Sequence, residues 1–244
     1  MSGRAVDALD SRPMRAIILA AGRGERMRPL TDITPKPLLC VRGGKPLIEF
    51  HIEALAAAGV QDIIVNTAWL SEQFPATLGD GTRFGVRLHF SDESAEPVGA
   101  LETAGGIARA LPLLCAEGDE AFWVVAGDVF LPDFHFPPKA AEQFLQRDLD
   151  ALLWLTHNSP HHPNGDFGIS AEGLGLSDTA SQRYTWASVG LFRSRMFKTI
   201  QPGAKAALRP YLEDAIRHHK LGAELLSGRW VDVGTVERLN NLQS

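Results

Sequence analysis

Cysteine is scarce: there are 2 among 244 residues. Cys40 and Cys115 sit in apolar contexts without metal-like spacing, which argues against a disulfide framework and a cysteine-built metal centre. Both are expected as buried free thiols, a usage that fits a reducing cytoplasm. A basic surplus is missing as well. The 24 lysines and arginines are outnumbered by 29 acidic residues, giving a net charge of −5. That balance argues against broad binding of nucleic acid or of an anionic membrane surface. No apolar run approaches the ~20 residues of a membrane span, and residues 1–13 lack the apolar core of a secretion signal. They read as a flexible extension ahead of one domain over 14–244. Internal repeats and low-complexity tracts are also missing, and without a hexapeptide period no appended β-helix is expected. Nothing in the sequence sets an oligomeric state.

What is present is an ordinary core-forming composition, 45% hydrophobic and 22% charged. "AIILAA" (16–21) reads as a buried strand ending at Gly22. A helix over 46–59 opens at Pro46 and closes at Gly59, with Ile48, Ile52 and Leu55 at helical spacing. Strands follow at 62–67, 86–90, 121–128, 151–156 and in "WASVGLF", and a last one at 229–235. Helices are expected over 101–114, 139–148 and 208–220, with a short helix after "WASVGLF" and one at the C-terminus. Alternating strands and helices predict an α/β domain, a Rossmann-like, mostly parallel sheet with helices on both faces. Ligands of such sheets bind beyond the carboxyl ends of the strands. Gly22, Asn66 and Asp128 all stand just after or at such ends. The polar stretch 157–187 reads as an excursion that covers a site.

"LAAGRGERMRPLTDITPKPL" (19–38) gathers Arg23, Arg26, Arg28 and Lys36 around a glycine turn in an acidic chain. Glycines let backbone N–H groups approach an anion closely. A Walker loop needs a Gly-Lys-Ser/Thr ending, which is missing. A dinucleotide fingerprint needs a third glycine and a helix opening from the turn. Met27 and Arg28 stand in that region instead, and Pro29, Pro35 and Pro37 forbid a regular helix beyond it. A stiffened loop carrying cations suits a polyphosphate. Arg23 taken alone reads as an ordinary surface charge.

The stretch resembles the signature of the sugar-1-phosphate nucleotidylyltransferases: an apolar strand, Ala-Gly-x-Gly-x-Arg, Pro-Leu-Thr, then Pro-Lys-Pro-Leu. "AGD" (126–128) and "VDVGT" (231–235) resemble the family's two metal-binding strand ends, and "ETAGGI" (102–107) its base-recognition turn, with Glu102 where a glycine is usual. The resemblance implies attack of a sugar-1-phosphate oxygen on the α-phosphorus of a nucleoside triphosphate, releasing pyrophosphate. It implies that Leu19, Ala20, Ala21, Gly22, Gly24, Arg26, Lys36, Glu102, Thr103 and Gly105 bind the nucleotide, Arg26, Lys36 and Asp128 carry catalysis, and Asp128 and Asp232 hold magnesium. Asn66, Asp166 and Ser188 are expected at the sugar, with Trp69 as an alternative pocket or core residue. "VNTAWL" and "HHPNGDF" are most similar to members that use UTP and N-acetylmuramate 1-phosphate, which feed peptidoglycan recycling. Arg28 is a candidate partner for a sugar carboxylate. His161 and His162 read as loop histidines, Glu213 as a solvated charge. The open alternatives are a mannose- or glucose-1-phosphate enzyme using GTP, UTP or dTTP, a non-catalytic sensor on the same fold, and a nicotinamide-binding oxidoreductase.

Overall fold

The computed structural model describes residues 14–96, 99–116, 118, 120–177 and 180–243. The extension expected over 1–13 lies outside the described residues. The strands are β1 (Ala16–Leu19), β2 (Asp62–Thr67), β3 (Arg87–Asp92), β4 (Ala121–Ala126), β5 (Val129–Phe130), β6 (Ala151–Thr156), β7 (Gly168–Ile169), β8 (Gly175–Leu176), β9 (Thr185–Arg193), β10 (Leu221–Leu225) and β11 (Val231–Asp232). The helices are α1 (Leu30–Ile33), α2 (Leu47–Ala57), α3 (Gln73–Leu78), α4 (Glu102–Leu114), α5 (Pro138–Gln146), α6 (Arg209–Arg217) and α7 (Val236–Asn240).

Seven strands form the main sheet in the order β10-β6-β9-β4-β1-β2-β3. β9 runs antiparallel to β4 and β6, and the other neighbours pair parallel. Successive side chains of a strand face opposite sides, and the central strands use this on both faces. Ile18, Ile63 and Val125 pack with Ile48, Ile52 and Leu55 of α2 and Phe144 of α5. Ile17, Ile64 and Val124 pack on the other side with Ile107 and Leu114 of α4 and Leu212 of α6. Burial on both faces explains why these strands read as unbroken apolar runs. A third cluster joins Met27 of the glycine loop to Leu47, Phe130, Val233 and Leu239. It ties the loop to β5, β11 and the C-terminal helix, and so fixes one side of the site.

Several expectations need correction. The segment 229–235 adds no strand to the main sheet; only Val231–Asp232 is extended, and it pairs antiparallel with β5. Turn residues Gly127 and Asp128 end the expected strand 121–128 at Ala126. β10 and α3 are unexpected: "LGAEL" carries a glycine and a glutamate at a sheet edge, and "QFPATL" carries a proline in its first turn. Both patterns mask the period that identifies an element. Cys40 is exposed and Cys115 partly so, not buried; Cys40 sits in the short bridge that turns the chain into α2.

Candidate active site

The glycine turn follows β1 directly. Gly24 adopts φ 68° and packs so closely that a Cβ would lie 3.0 Å from Thr31 Cγ2 and 3.3 Å from Lys36 Cβ. The left-handed backbone and the close neighbours both require glycine there. Nothing lies within 4 Å of a Cβ built on Gly22, so its face is open to a ligand. The Thr31 hydroxyl donates to the Gly24 carbonyl at 2.9 Å, closing the loop on itself. No long helix follows directly, only short helical turns at Glu25–Met27, α1 (Leu30–Ile33) and Lys36–Leu38.

The four cations have different fates. Arg23 donates to Asp32 and to the Thr31 carbonyl and stacks over Trp69 at 3.7 Å. Trp69 donates in turn to the Thr31 carbonyl, a brace of the loop outside both cavities described below. Arg28 pairs with Asp32 at 2.9 Å and lines neither cavity. Lys36 is buried, its Nζ 2.8 Å from Asp128 Oδ2. Arg26 is exposed and, among the described residues, has no hydrogen-bond or ion-pair partner.

A cavity of about 490 Å³ opens between this loop and the start of α4. Leu19, Ala20, Ala21, Gly22, Gly24, Arg26, Lys36, Glu102, Thr103 and Asp128 all line it. Gly105 does not. A Cβ at Gly105 would meet the Ala204 carbonyl at 2.5 Å, and its N–H donates to the Ala206 carbonyl. Its close approach is to the chain itself, so the expected nucleotide contact becomes a packing requirement. The Ala206 carbonyl also takes the Ala104 N–H, so two of the helix's free amides are already satisfied. Glu102 opens α4 at φ 60°, left-handed although not a glycine, with Lys205 3.6 Å from its carboxylate.

Asn66, expected at the sugar, lines this first cavity instead. It is buried, accepting from Ala20 N–H at 2.7 Å and donating to Glu93 at 2.8 Å. Its amide is therefore spent on bracing the end of β1.

A second cavity of about 320 Å³ shares Arg26 and Asp128 with the first. Asp166, Ser188 and Asp232 line it together with His161, His162, Trp186 and Trp230. The β5–β11 ribbon sets Asp232 opposite Val129, and Val233 N–H donates to the Asp128 carbonyl. Two aspartates about a hundred positions apart in sequence thus stand side by side. Asp232 pairs through Oδ2 with Arg238, and Asp128 through Oδ2 with Lys36. Among the described residues, the remaining oxygen of each has no partner. Gly234 preserves the arrangement, since a Cβ there would lie 3.0 Å from the Asp232 carboxylate.

Ser188 sits in β9 at φ 59°, where the register against β6 shifts. The bulge turns the strand locally. Indole N–H groups of Trp186 and Trp230 donate to the Val189 and Ala187 carbonyls on either side of it. Asp166 has both carboxylate oxygens engaged, with Trp186 N–H at 2.8 Å and His162 at 3.2 Å. His161 lies 3.6 Å from Asp232. Glu213 pairs with Arg209 on α6, outside both cavities. The placement of His161, His162, Trp186 and Trp230 around the second cavity was not legible in the sequence. Only Trp230, two positions before Asp232, carried a signal in its placement.

A nucleotidyl transferase family model matches residues 15–244. The chain belongs to this family. It is 46% identical to an N-acetylmuramate alpha-1-phosphate uridylyltransferase of Neisseria meningitidis serogroup B, across 95% of this chain and 97% of that one. A protein of the same name from Caulobacter vibrioides is 30% identical, across 91% and 92%. Among solved structures, a Bacillus anthracis protein described as a glucose-1-phosphate thymidylyltransferase superposes with a TM-score of 0.80 at 22% identity, covering 94% of this chain and 93% of that one. That likeness supports the nucleotidyl transferase fold alone.

Proposed function

We propose that the chain transfers UMP from UTP to N-acetylmuramate 1-phosphate, releasing pyrophosphate, and so supplies a nucleotide sugar for cytoplasmic peptidoglycan recycling. The observation that carries the substrate pair is the 46% identity to the Neisseria uridylyltransferase over nearly the full length of both chains. The geometry supports the reaction type. One cavity faces the glycine loop, the other faces Asp166 and Ser188, and they meet at Arg26 and Asp128.

In this reading UTP occupies the first cavity. Its phosphates lie along the backbone from Ala20 to Gly24, and its base lies toward Glu102 and Thr103. The sugar 1-phosphate occupies the second cavity, with Asp166 and Ser188 at the sugar. The reaction brings two anions together, so the chain's task is neutralising charge and aligning the attack. Arg26, free of internal partners, holds the β- and γ-phosphates where leaving-group charge develops. Lys36 orients Asp128 and adds positive charge beside the α-phosphate. The nucleophile is a phosphate oxygen that is already ionised, so no side chain needs to accept its proton.

The donor set fits magnesium. Asp128 and Asp232 offer hard carboxylate oxygens to one cavity, each with one oxygen unpartnered among the described residues, and such ions complete their shell with water and phosphate. Bound there, the ion would neutralise charge between the reactants and help orient the attack. Phosphorus NMR of UTP and N-acetylmuramate 1-phosphate with the purified chain tests the reading. Equal amounts of nucleotide sugar and pyrophosphate, formed with magnesium and not with excess chelator, are expected. Binding without pyrophosphate release would instead indicate a non-catalytic sensor.

A further inference from the structure

Glu93, 0% exposed, is the most deeply buried carboxylate among the described residues and lines neither cavity. Burial pushes its carboxyl above the usual range, against which two N–H donors act. Oε1 accepts from Asn66 Nδ2 at 2.8 Å and Oε2 from the Leu101 N–H at 2.9 Å. Asn66 Oδ1 takes the Ala20 N–H at 2.7 Å. An unbroken line of hydrogen bonds therefore runs from the turn after β1 to the residue before α4. Ala20 at one end lines the first cavity, and at the other end so does Glu102, the residue after Leu101.

Two further contacts tighten the line. A Cβ on Gly106 would lie 2.7 Å from both Asn66 Nδ2 and Glu93 Oε1, so any side chain there would push the pair aside. The Leu101 carbonyl accepts from Ala206 N–H at 3.0 Å, so Leu101 is held from both sides. The next residue, Glu102, keeps φ 60°. A non-glycine residue holds that conformation only where its surroundings enforce it.

We propose that Glu93 is a positioning residue for the nucleotide: it locks the phosphate turn to the base-side start of α4 and holds Glu102 and Thr103 toward the ligand. This rests on reading the first cavity as the nucleotide site. Glu93 itself touches no substrate.

The donor pattern supplies a sharp test. Both partners of Glu93 are donors, so Glu93→Gln sets an amide N–H against one of them. Asn66→Asp sets a carboxylate against Glu93. In the double variant the middle bond reverses, the new amide donating to the new carboxylate, while Ala20 and Leu101 N–H groups keep their acceptors. The measurements are Kd for UTP by calorimetry with magnesium, KM for N-acetylmuramate 1-phosphate, and thermal unfolding, all on the full chain. Each single variant should weaken UTP about tenfold, with KM for the sugar phosphate moved by less than about twofold. The double variant should recover UTP binding to within about threefold of the unaltered chain. Gly106→Ala, which crowds the same pair without altering charge, should weaken UTP selectively as well; it decides the matter if the polar variants do not fold. Unchanged UTP affinity in Glu93→Gln or Gly106→Ala would overturn the proposal. Equal losses for both substrates, or a double variant that melts normally without regaining UTP, would do the same. An unaltered chain that binds no UTP would overturn the reading of the cavity itself, whereas normal binding unmoved by Glu93→Gln would overturn the positioning role alone.

Discussion

Lys36 and Arg26 come from one cationic loop, yet the structure separates them. A lysine between two prolines in a loop reads as having little packing duty, but its side chain is only 7% exposed and its ammonium is held on Asp128. Asp128 keeps 43% of its side chain in water, so losing the pair costs the fold little, about 1 kcal/mol. In the proposed reaction the transition state, where phosphate charge moves, would depend on it far more. Lys36→Ala should therefore lower kcat by about a hundredfold or more, with only a small fall in melting temperature. Arg26→Ala removes a guanidinium without internal partners, so it should leave the melting temperature unchanged. Its loss should appear in kcat/KM for the nucleotide. Pyrophosphate release and thermal unfolding on both variants check the pair, and near-normal turnover in either would remove its role. The sequence showed which residues gather at the turn, because the motif spells out the order of glycines, cations and prolines. It did not show which cations are free, because Asp32 and Trp69 claim two of them through folds of the loop that no local pattern encodes.

The decisive element is the two-residue ribbon of β5 and β11. The family resemblance of "AGD" and "VDVGT" implied that two aspartates on strands of the sheet share a magnesium ion. They do stand together, but through a separate antiparallel ribbon and not through neighbouring strands of the main sheet. Long parallel strands are legible because both faces are buried and apolar; a two-residue pairing has no period to read. The bulge at Ser188 and the line from Ala20 to Leu101 were hidden for the same reason, being set by tertiary contacts between distant segments. Treated as one unit, the ribbon carboxylates lead to a specific expectation. Asp128→Asn and Asp232→Asn should each lower kcat strongly, and the double variant should lose little more than the worse single one. Added magnesium should restore turnover to the unaltered chain after chelation and not to the variants. Losses that simply multiply would mean that the two aspartates act independently.

At the scale of the whole molecule, the buried core sets the response to acid. His51 of α2 is 1% exposed and donates through Nε2 to the Val129 carbonyl at 2.8 Å, beneath the ribbon. Burial pulls its pKa down from 6.5 to about 4. Above pH 6.5 the imidazole is neutral in both folded and unfolded chains and favours neither. As the pH falls from 6.5 toward 4, the unfolded chain takes up a proton that the folded chain refuses. Stability is thereby lost across that window, by about 3 kcal/mol from this residue. Urea unfolding at a series of pH values should show the slope, and His51→Asn should flatten it; an equal slope in the variant would assign the acid response elsewhere. On the proposed function, the two adjoining cavities together select UTP and N-acetylmuramate 1-phosphate. The most direct test is kcat/KM for pyrophosphate release across a matrix of UTP, GTP and dTTP against the 1-phosphates of N-acetylmuramate, glucose and mannose. The highest value is expected for UTP with N-acetylmuramate 1-phosphate; a higher value for GTP with mannose 1-phosphate, or for UTP or dTTP with glucose 1-phosphate, would contradict that selectivity.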